Sequence, residues 1–391
     1  MADLKKKKIL FYNGSLRMGG IERVLIEVLQ NLDLNKYEID LVIEDGIRSL
    51  NVFEKDIPDS IKLYYLKSEN IMQKTIYFRE KRKKNLLYRL IYQLMMLYEK
   101  YIKKKNLKKI VENKRYDTVV DFDMGLSKYI DLINGDKKVA WIHANIESWY
   151  KKRSRIVRLG RRLKKYDQIV TICDAMKEET LKLYPFLENK LIRIYNPFNF
   201  ERVKSLAEVE VENDKKYLLK EEYFISVMRL TLAQKDFETL IKGFKLAKGR
   251  GLKEKLYILG DGPDREEILK LIKKEDMGEE IILFGNVKNP YPWIKNSKGL
   301  VHSSKYEGLP TVLVEALILR KKVISSDCPT GPKEILEDGK LGELYNVGDY
   351  QELSSLLIKS LADEEKVQEK DIEKYSIDYI IKEYDKILID F

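Results

Sequence analysis

Short β-rich runs alternate with longer helical patterns along nearly the whole chain. Strands that alternate with helices of about 10–15 residues imply parallel sheets that are covered on both faces. Two such series follow one another, so the sequence predicts an α/β protein of two doubly wound, Rossmann-like domains. The predicted strands are Ile9–Tyr12, Glu38–Ile43, Thr118–Phe122, Val139–Ile142, Gln168–Ile172, Leu191–Tyr195, Tyr223–Val227, Leu256–Leu259, Ile281–Phe284, Gly299–His302 and Lys322–Ser325. The clearest predicted helices are Ile21–Leu32, Phe237–Ala247, Arg265–Lys274, Thr311–Leu319 and Ile377–Ile389.

The chain has 391 residues, enough for two or three domains of about 150 residues each. The best boundary lies near Asn196-Pro197, after a predicted strand. The segment Glu201–Glu222 beyond it is polar and charge-rich, which predicts a linker. We therefore expect an N-terminal domain over residues 1–196 and a second domain over residues 197–375.

Few residues are available for metal or disulfide chemistry. Cys173 and Cys328 are the two cysteines, and there are two histidines, which excludes a disulfide framework and a Cys-only zinc site and favours a reducing cytosol. The apolar stretch Leu86–Leu97 is interrupted by polar residues, so no segment reaches the roughly 18 apolar residues of a membrane span. The apolar run Ile9–Tyr12 after the N-terminal lysines predicts a first strand rather than a signal peptide.

The positive charge is concentrated in the first half of the sequence. Residues 1–200 hold 42 Lys and Arg against 26 Asp and Glu, within a net charge of +11 for the chain. Arg79–Arg115 carries 14 of these cations and Lys151–Lys165 carries nine, and apolar residues recur at helical spacing in the first of the two segments. Basic amphipathic helices suit an anionic membrane surface. The alternatives are a helix whose apolar face packs on its own domain, and nucleic-acid binding, for which no recognisable module is present.

Glycines follow two of the predicted strands. Gly19-Gly20 opens the first helix, at a strand end where ligands of doubly wound sheets bind and where glycine lets a substrate approach the backbone. A strand–helix turn without a ligand is the alternative. Gly260-Asp261-Gly262 predicts a tight turn with a structural role.

Two cations follow the strand Tyr223–Val227. Arg229 and Lys235 lie six residues apart on a loop at the strand end, where an Arg fork and a Lys point charge can hold a diphosphate. Two solvated surface cations are the alternative interpretation.

The segment Ser304–Ala316 carries the most specific pattern. A strand leads into a Gly/Pro loop, and a helix begins near Thr311, whose N-terminus suits an anionic diphosphate. Glu307 lies in the loop and Glu315 in the early turns of the helix. A carboxylate is an acceptor that can bind two adjacent hydroxyls of a sugar, and a buried one needs a partner.

This Glu307-x7-Glu315 segment resembles the motif of retaining glycosyltransferases of family 4, which have the GT-B fold. Further matches extend over most of the chain: Gly19-Gly20, Arg229, Lys235, Gly260-Asp261-Gly262, Phe284-Gly285 with Val287, and Ser326-Asp327-Cys328-Pro329 with Gly331-Pro332. The resemblance is to bacterial enzymes that build capsule, teichoic or O-antigen-type glycans. It implies an active site between the two domains and a C-terminal helix, within residues 376–391, that crosses back to the N-terminal domain.

The resemblance also implies a role for each matching residue. Arg229 and Lys235 would hold the donor diphosphate, Glu315 the ribose hydroxyls, and Glu307 and His143 the donor sugar. The remaining donor contacts would come from Gly19, Gly20, Gly285, Val287, Gly308, Leu309, Pro310 and Thr311. His302 has no such counterpart, and we expect it to serve packing. No cofactor and no metal are implied, although Asp121-Phe122-Asp123 offers a metal-binding alternative of the other glycosyltransferase architecture.

The expected activity is transfer of a hexose or N-acetylhexosamine, with retention, from a nucleotide diphosphate sugar such as a UDP-sugar. The expected acceptor is a cell-surface or lipid-diphosphate-linked glycan, which places the protein in the cytoplasm at the inner face of the cell membrane. A nucleotide-sugar epimerase on the same fold is the rival enzyme. The Glu307–Glu315 pair together with Arg229 and Lys235 argues against an epimerase, because retaining transferases carry that set.

Overall fold

The computed structural model describes residues 5–150, 152–212, 216–362 and 367–389. The chain folds into two compact units. The first half consists of Met1–Ile172, Lys177–Pro197 and Ile377–Phe391, and the second half of Cys173–Met176 and Phe198–Ser376. Each half is an α/β unit built on a parallel sheet, which confirms the predicted fold class. Lys151, within the predicted basic segment Lys151–Lys165, lies outside the described residues.

The first half contains a parallel sheet of seven strands within its described residues, in the order β3-β2-β1-β4-β5-β6-β7. The strands are β1 Lys7–Asn13, β2 Tyr37–Ile43, β3 Lys62–Tyr65, β4 Tyr116–Asp121, β5 Gly135–Ile142, β6 Gln168–Thr171 and β7 Leu191–Arg193. The helices between them are α1 Gly20–Asn31, α2 Glu69–Lys81, α3 Leu86–Val111, α4 Ile146–Trp149, α5 Arg153–Leu163 and α6 Asp174–Leu183.

The central strands of this sheet are buried on both faces. Ile9, Leu10, Phe11 and Tyr12 of β1 are all fully buried, which explains why the run is apolar without alternation. The strand order reverses between β1 and β4. In doubly wound sheets the carboxyl ends of the strands at this reversal form the ligand-binding edge.

The second half repeats the architecture with six parallel strands among its described residues, in the order β10-β9-β8-β11-β12-β13. The strands are β8 Tyr223–Val227, β9 Lys255–Leu259, β10 Ile281–Gly285, β11 Leu300–His302, β12 Val323–Ser326 and β13 Glu343–Tyr345. The helices are α7 Phe200–Ala207, α8 Phe237–Gly249, α9 Arg265–Lys274, α10 Tyr291–Asn296, α11 Thr311–Ile318, α12 Pro332–Ile335, α13 Tyr350–Ala362 and α14 Glu369–Ile372. Here the strand order reverses between β8 and β11, so the loops after these two strands begin side by side.

The last helix, α15 (Ile377–Ile389), belongs to the first half. Tyr384 of α15 stacks on Trp141 of β5, with ring centroids 5.0 Å apart, and both side chains are buried. Tyr37 donates a hydrogen bond to Asp385 at 2.7 Å, and the Lys137 ammonium donates to the Ile387 carbonyl at 2.9 Å. The helix therefore completes the apolar core over a sheet whose strands lie more than 180 residues earlier in the sequence.

The structure differs from the sequence-based expectation in the segment predicted as a linker. Residues 201–207 belong to helix α7, which places Phe200, Val203 and Ala207 in the core of the second half. Residues 213–215 of the same segment lie outside the described residues. The linker prediction is wrong for α7. This segment is rich in charged residues, but it also contains three apolar residues at helical spacing, and these form the buried face of the helix.

Helix α3 forms one continuous element of 26 residues in the basic segment. Its C-terminal part is anchored by the buried residues Glu99, Lys103, Leu107 and Val111. Much of its N-terminal part is exposed, including several leucines. Within the described residues, no helix is both long enough and apolar enough to cross a membrane.

Candidate active site

Two loops join at the carboxyl edge of the second-half sheet, one after β8 and one after β11. The Lys305 N–H donates to the Gln234 carbonyl at 2.8 Å, and the Asp236 N–H donates to the Ser303 carbonyl at 3.1 Å. The Ser303 hydroxyl also donates to the Asp236 carbonyl at 2.9 Å. These bonds fix the two loops at the point where the strand order reverses, so that residues about 70 positions apart in sequence form one site.

Glu307 is the centre of this site. Its Oε1 accepts hydrogen bonds from the Lys235 ammonium and from the Ser304 hydroxyl, the latter at 2.6 Å, and lies 3.2 Å from His302 Nε2. Its Oε2 accepts one bond among the described residues, from Gln234 Nε2 at 3.1 Å. Since Glu307, Lys235, His302 and Ser304 are all buried, the carboxylate is oriented by three neighbours on one oxygen and retains acceptor capacity on the other.

The charge state of this cluster follows from its contacts. Burial alone would raise the pKa of the Glu307 carboxyl, but the His302 hydrogen bond and the Lys235 ammonium outweigh burial and lower the pKa to about 2. Burial lowers the pKa of His302, against the hydrogen bond to Glu307, so the ring is neutral at physiological pH. An ionised carboxylate can only accept, and we therefore assign the proton of the neutral ring to Nε2.

The segment Ser326–Gly331, which begins at the last residue of β12, holds the Glu307 loop in place by hydrogen bonds and close packing. The Ser326 hydroxyl accepts from the Ser304 N–H and donates to the Ser304 carbonyl, each at 2.9 Å. The Thr330 hydroxyl donates to the Glu307 carbonyl. Gly331 has φ +92°, and a Cβ there would meet Pro310 Cδ at 2.5 Å and the Gly308 carbonyl at 2.7 Å. Glycine is thus required at Gly331 both by its backbone conformation and by the close approach of the loop.

The Gly260-Asp261-Gly262 turn supports the other loop. A Cβ on Gly260 would lie 2.0 Å from the Met228 carbonyl, and one on Gly262 would lie 2.2 Å from the Leu230 carbonyl. The Leu230 N–H donates to the Asp261 carbonyl at 3.1 Å. The turn therefore packs against the backbone on both sides of Arg229, which agrees with the structural role expected for it.

The other residues predicted for the donor lie along the same sheet edge. Arg229 is exposed on the β8 loop, while the Lys235 ammonium is buried against Glu307. Gly308, Leu309, Pro310 and Thr311 follow Glu307 directly and lead into α11, in which Glu315 is half-buried. Gly285 ends β10 with φ +77°, and the half-buried Val287 follows it.

Three predicted residues lie in the first half, at the carboxyl edge of its own sheet. Gly19 and Gly20 begin α1, and a Cβ on Gly20 would meet no atom within 4 Å. His143 follows β5, beside the Phe122 ring at 4.7 Å between centroids. Its Nε2 is buried and has no hydrogen-bond partner among the described residues, and burial lowers the pKa of the ring to about 4. His143 is therefore neutral at physiological pH, and within the described residues its buried Nε2 makes no hydrogen bond.

The Asp121-Phe122-Asp123 pair is tied into the first half by hydrogen bonds on all four carboxyl oxygens. Asp123 accepts from the Gly14 N–H at 2.7 Å and from the Gly125 N–H at 2.9 Å. Asp121 accepts from the Leu126 N–H at 3.1 Å and from the Tyr166 hydroxyl. Burial raises the pKa of Asp121 well above its ordinary value, with the Asp123 charge acting in the same direction. Among the described residues, no group of three or more His, Cys, Asp or Glu side chains is placed to hold a metal ion.

Sequence reasoning missed three members of the Glu307 cluster. Gln234, His302 and Ser304 all contact the Glu307 carboxylate. The expectation that His302 serves packing alone is incomplete, since the buried ring also orients the carboxylate. A signal was present in the sequence, because Gln234 precedes Lys235, His302 ends the strand that leads to Glu307, and Ser304 lies in the loop between them.

The site can be compared with proteins of known family. Residues 210–377 match the family described as glycosyl transferases group 1. An uncharacterized glycosyltransferase of Methanocaldococcus jannaschii is 30% identical over 305 residues, which cover 73% of each chain. The N-acetylgalactosamine-N,N'-diacetylbacillosaminyl-diphospho-undecaprenol 4-alpha-N-acetylgalactosaminyltransferase of Campylobacter jejuni is 27% identical over 197 residues, 49% of this chain and 51% of that protein.

The fold matches a solved structure over nearly its whole length. Anabaena HepE in complex with UDP and glucose superposes with a TM-score of 0.74 at 16% identity, covering 98% of this chain and 100% of that chain. This likeness identifies the fold as GT-B and agrees with the two Rossmann-like halves. The family itself is shown by the similarity to the Methanocaldococcus jannaschii protein over 73% of both chains. The protein belongs to the glycosyltransferases, and its second half is a group 1 glycosyl transferase domain.

Proposed function

We propose that the protein is a retaining, metal-independent glycosyltransferase that moves a hexose or N-acetylhexosamine from a UDP-sugar to a glycan acceptor. The observation that carries this proposal is the buried Lys235–Glu307 pair where the strand order of the second-half sheet reverses. In this proposal, the Lys235 cation binds the donor diphosphate and the adjacent ionised Glu307 carboxylate accepts hydrogen bonds from sugar hydroxyls.

The cations of the β8 loop have complementary positions. Arg229 is exposed and can reach a diphosphate with its planar fork. Lys235 is buried and fixed by Glu307, so its charge is oriented before the donor arrives. Negative charge develops on the diphosphate as the glycosidic bond breaks, and fixed cations stabilise that charge without reorganisation. Glu315, one turn into α11, would accept the ribose hydroxyls, and the base would lie near Gly285 and Val287.

Glu307 is suited to hold the sugar and not to donate a proton to it. Its low pKa keeps the carboxylate ionised, so it serves as a hydrogen-bond acceptor. Oε1 is occupied by Lys235, His302 and Ser304, which leaves Oε2 beside Gln234 as the oxygen for a sugar hydroxyl. His143 of the first half, neutral and with an unpartnered Nε2 among the described residues, would contribute a further polar contact to the donor sugar.

The chemical step needs no nucleophile from the protein. The bond between the anomeric carbon and the diphosphate oxygen breaks, and the acceptor hydroxyl oxygen bonds to the anomeric carbon on the same face. The acceptor proton passes to the departing phosphate oxygen, and UDP leaves. Because the acceptor oxygen attacks the face from which the diphosphate departs, the anomeric configuration is retained. The protein contributes position and charge: Arg229 and Lys235 at the diphosphate, and Glu307 at the sugar.

Support for the donor and acceptor classes comes from the relatives. HepE was solved with UDP and glucose, and the Campylobacter jejuni enzyme acts on a diphospho-undecaprenol-linked sugar. We extend both to this chain: a UDP-sugar donor, and a lipid-linked or cell-surface glycan acceptor reached from the cytoplasm at the inner leaflet. The basic first half would face this anionic side.

A donor screen tests the proposal. Binding and nucleotide release are measured for UDP-, GDP- and dTDP-sugars in the presence of a chelator, and a UDP-sugar is expected to bind with highest affinity. Lys235→Met should lose that binding, while Lys295→Met, an exposed cation of the same half, should retain it. Failure of the wild-type protein to bind any of the three donors, or donor binding that requires a divalent cation, would contradict the proposal. Incubation with donor alone should yield no isomerised sugar, and its appearance would favour the epimerase.

A further inference from the structure

Helix α3 exposes an apolar surface to solvent. Leu86, Leu87, Leu90, Leu94, Leu97 and Tyr101 are each between 52% and 79% exposed. At about 100° per residue these positions fall within an arc of roughly 100° on the helix, along about 24 Å of its length. We call these six side chains the apolar stripe. Single apolar residues are common on protein surfaces, but a contiguous exposed stripe of them marks a site that binds a membrane or another molecule.

Positive charge borders the apolar stripe at both ends. Arg82, Lys83 and Lys84 precede it, and all three are exposed. Lys104, Lys105 and Lys108 follow it, are also exposed, and fall within the same helical arc. The apolar stripe therefore lies between two groups of exposed cations, one in the turn before α3 and one on the same face of the helix, an arrangement that suits a helix lying in a membrane interface.

We infer that the apolar stripe and the exposed cations that border it form one docking surface for an anionic lipid bilayer, with α3 lying in the plane of the interface. The leucines enter the boundary between headgroups and acyl chains, and the flanking cations bind lipid phosphates. This inference deepens the proposed function by assigning its membrane contact to named residues, and it rests on that function only for the nature of the acceptor.

Charge complementarity selects the bilayer over a second copy of this chain. Two copies joined through α3 would bring the same cations together, whereas an anionic leaflet neutralises them. The buried end of α3 also holds the stripe in place. The Lys103 ammonium donates to the Tyr12 hydroxyl at 2.8 Å and to the Gly125 carbonyl at 3.0 Å. The docking surface is thus attached firmly to the loops at the carboxyl edge of the first-half sheet.

Vesicle flotation of the full chain tests the inference. Wild type should float with vesicles of phosphatidylcholine plus phosphatidylglycerol, and should float less with phosphatidylcholine alone or at high salt. The variant Leu90→Ser/Leu94→Ser/Leu97→Ser should partition at least about tenfold less. The variant Lys104→Gln/Lys105→Gln/Lys108→Gln should lose on the order of a hundredfold at low salt and less at high salt.

Matched controls come from the second half. Val209→Ser/Leu269→Ser/Leu361→Ser changes three apolar side chains with 38–52% exposure, and Lys270→Gln/Lys273→Gln/Lys274→Gln changes three exposed cations. Both controls should float like wild type. Because all the altered stripe residues are exposed, the variants should unfold at the wild-type denaturant concentration, which excludes misfolding as the cause of lost binding.

Three outcomes would overturn the inference. These are equal recovery with neutral and anionic vesicles without salt sensitivity, flotation of the stripe variant at wild-type levels, or a wild-type dimer in sedimentation that the stripe variant abolishes. The last would make a second copy the occupant. UDP binding measured without vesicles separates this surface from the proposed function: the stripe variant should retain it, and Lys235→Met should lose it while still floating.

Discussion

Lys235 and Glu307 are both buried and form an ion pair, so each compensates the charge of the other. Removing one partner of such a pair leaves an uncompensated charge in a low-dielectric site and costs about 3–5 kcal/mol. Lys235→Met and Glu307→Gln should each lose this amount while retaining the fold. The double variant should be more stable than the sum of the two losses predicts, by about 2 kcal/mol or more. Urea unfolding of the four proteins measures the coupling, and additive losses would contradict it.

Transfer activity should respond differently from stability in the same series. Glu307→Gln keeps the shape of the side chain but removes the charge that orients Lys235, and transfer should fall by at least about 100-fold. The double variant, although more stable than expected, should remain inactive. Steady-state kinetics with the donor identified by the screen measures this. Near-wild-type turnover in either variant would contradict the role assigned to the pair.

The low pKa of Glu307 makes stability depend on pH in a defined window. The folded-state pKa of about 2 lies below the ordinary value of 4.5, so the stabilisation from the carboxylate is complete above about pH 4.5 and is lost as pH falls toward 2. The difference in unfolding free energy between wild type and Glu307→Gln should therefore shrink by about 3 kcal/mol across this window. Glu44, whose pKa is also lowered to about 2, is common to both proteins and cancels in the comparison. A constant difference from pH 5 to pH 2 would contradict this prediction.

The limit of sequence reasoning at this scale lies in contacts that depend on strand order. Glu307, Lys235 and Arg229 were predicted because each stands in a recognisable local pattern. Gln234 was missed because what brings it to Glu307 is the pairing of β8 with β11. His302 and Ser304 lie close to Glu307 in the sequence, but the contact of their side chains with its carboxylate depends on the conformation of the loop after β11. The Lys235–Glu307 ion pair spans 72 positions, and no local pattern encodes it.

At the scale of elements, the turn at Gly331 is expected to control the Glu307 loop. Gly331 and Gly339 both have positive φ, +92° and +94°, but only Gly331 has atoms within 4 Å of a Cβ. Substitution by Ala should cost about 1–3 kcal/mol of backbone strain at either position. Gly331→Ala should cost more and should weaken donor binding, because its methyl group displaces Pro310 and the Gly308 carbonyl. Thermal unfolding and donor titration of both variants measure this, and equal effects would contradict it.

At the start of α1, the substitution Gly20→Ala should change protein stability and transfer activity in opposite directions. Gly20 is the first residue of the helix and has open space around its Cβ position. Gly20→Ala should therefore leave stability unchanged or raise it by up to about 1 kcal/mol, since Ala favours helices. If a donor approaches this backbone, the added methyl group should reduce transfer several-fold. Unfolding and kinetic measurements on one variant test both parts, and unchanged transfer would remove Gly20 from the donor site.

Element boundaries could be predicted where periodicity was strong. The bounds of β8, α9 and α15 agree with the predicted Tyr223–Val227, Arg265–Lys274 and Ile377–Ile389. The edge strands β3 and β13 were missed, because four and three residues are too few to show alternation. The helical period of the apolar residues in α3 was recognised. Periodicity shows that these residues share one face of the helix, but it does not show whether that face is buried or exposed. Exposure of the leucines was visible only in the structure.

At the scale of the whole molecule, α15 should contribute to the stability of the first half. Tyr384 is buried against Trp141, and Tyr384→Ala should cost about 3–5 kcal/mol through lost packing and a residual cavity. Ile389→Ala, at an exposed position of the same helix, should cost less than about 1 kcal/mol. Hydrogen exchange of the β4 and β5 amides measures both. Unchanged protection in Tyr384→Ala would show that α15 is dispensable for the first-half core.

The return of α15 to the first half also sets an order of events during synthesis. A ribosome releases residues 198–376 before it releases the helix that completes the first-half core. The N-terminal sheet therefore waits, with the apolar surface around Trp141 uncovered, while an entire second unit is translated and can fold. The first-half sheet is synthesised before the second unit but is covered only after it, and until α15 emerges it presents to the cell the kind of surface that chaperones bind.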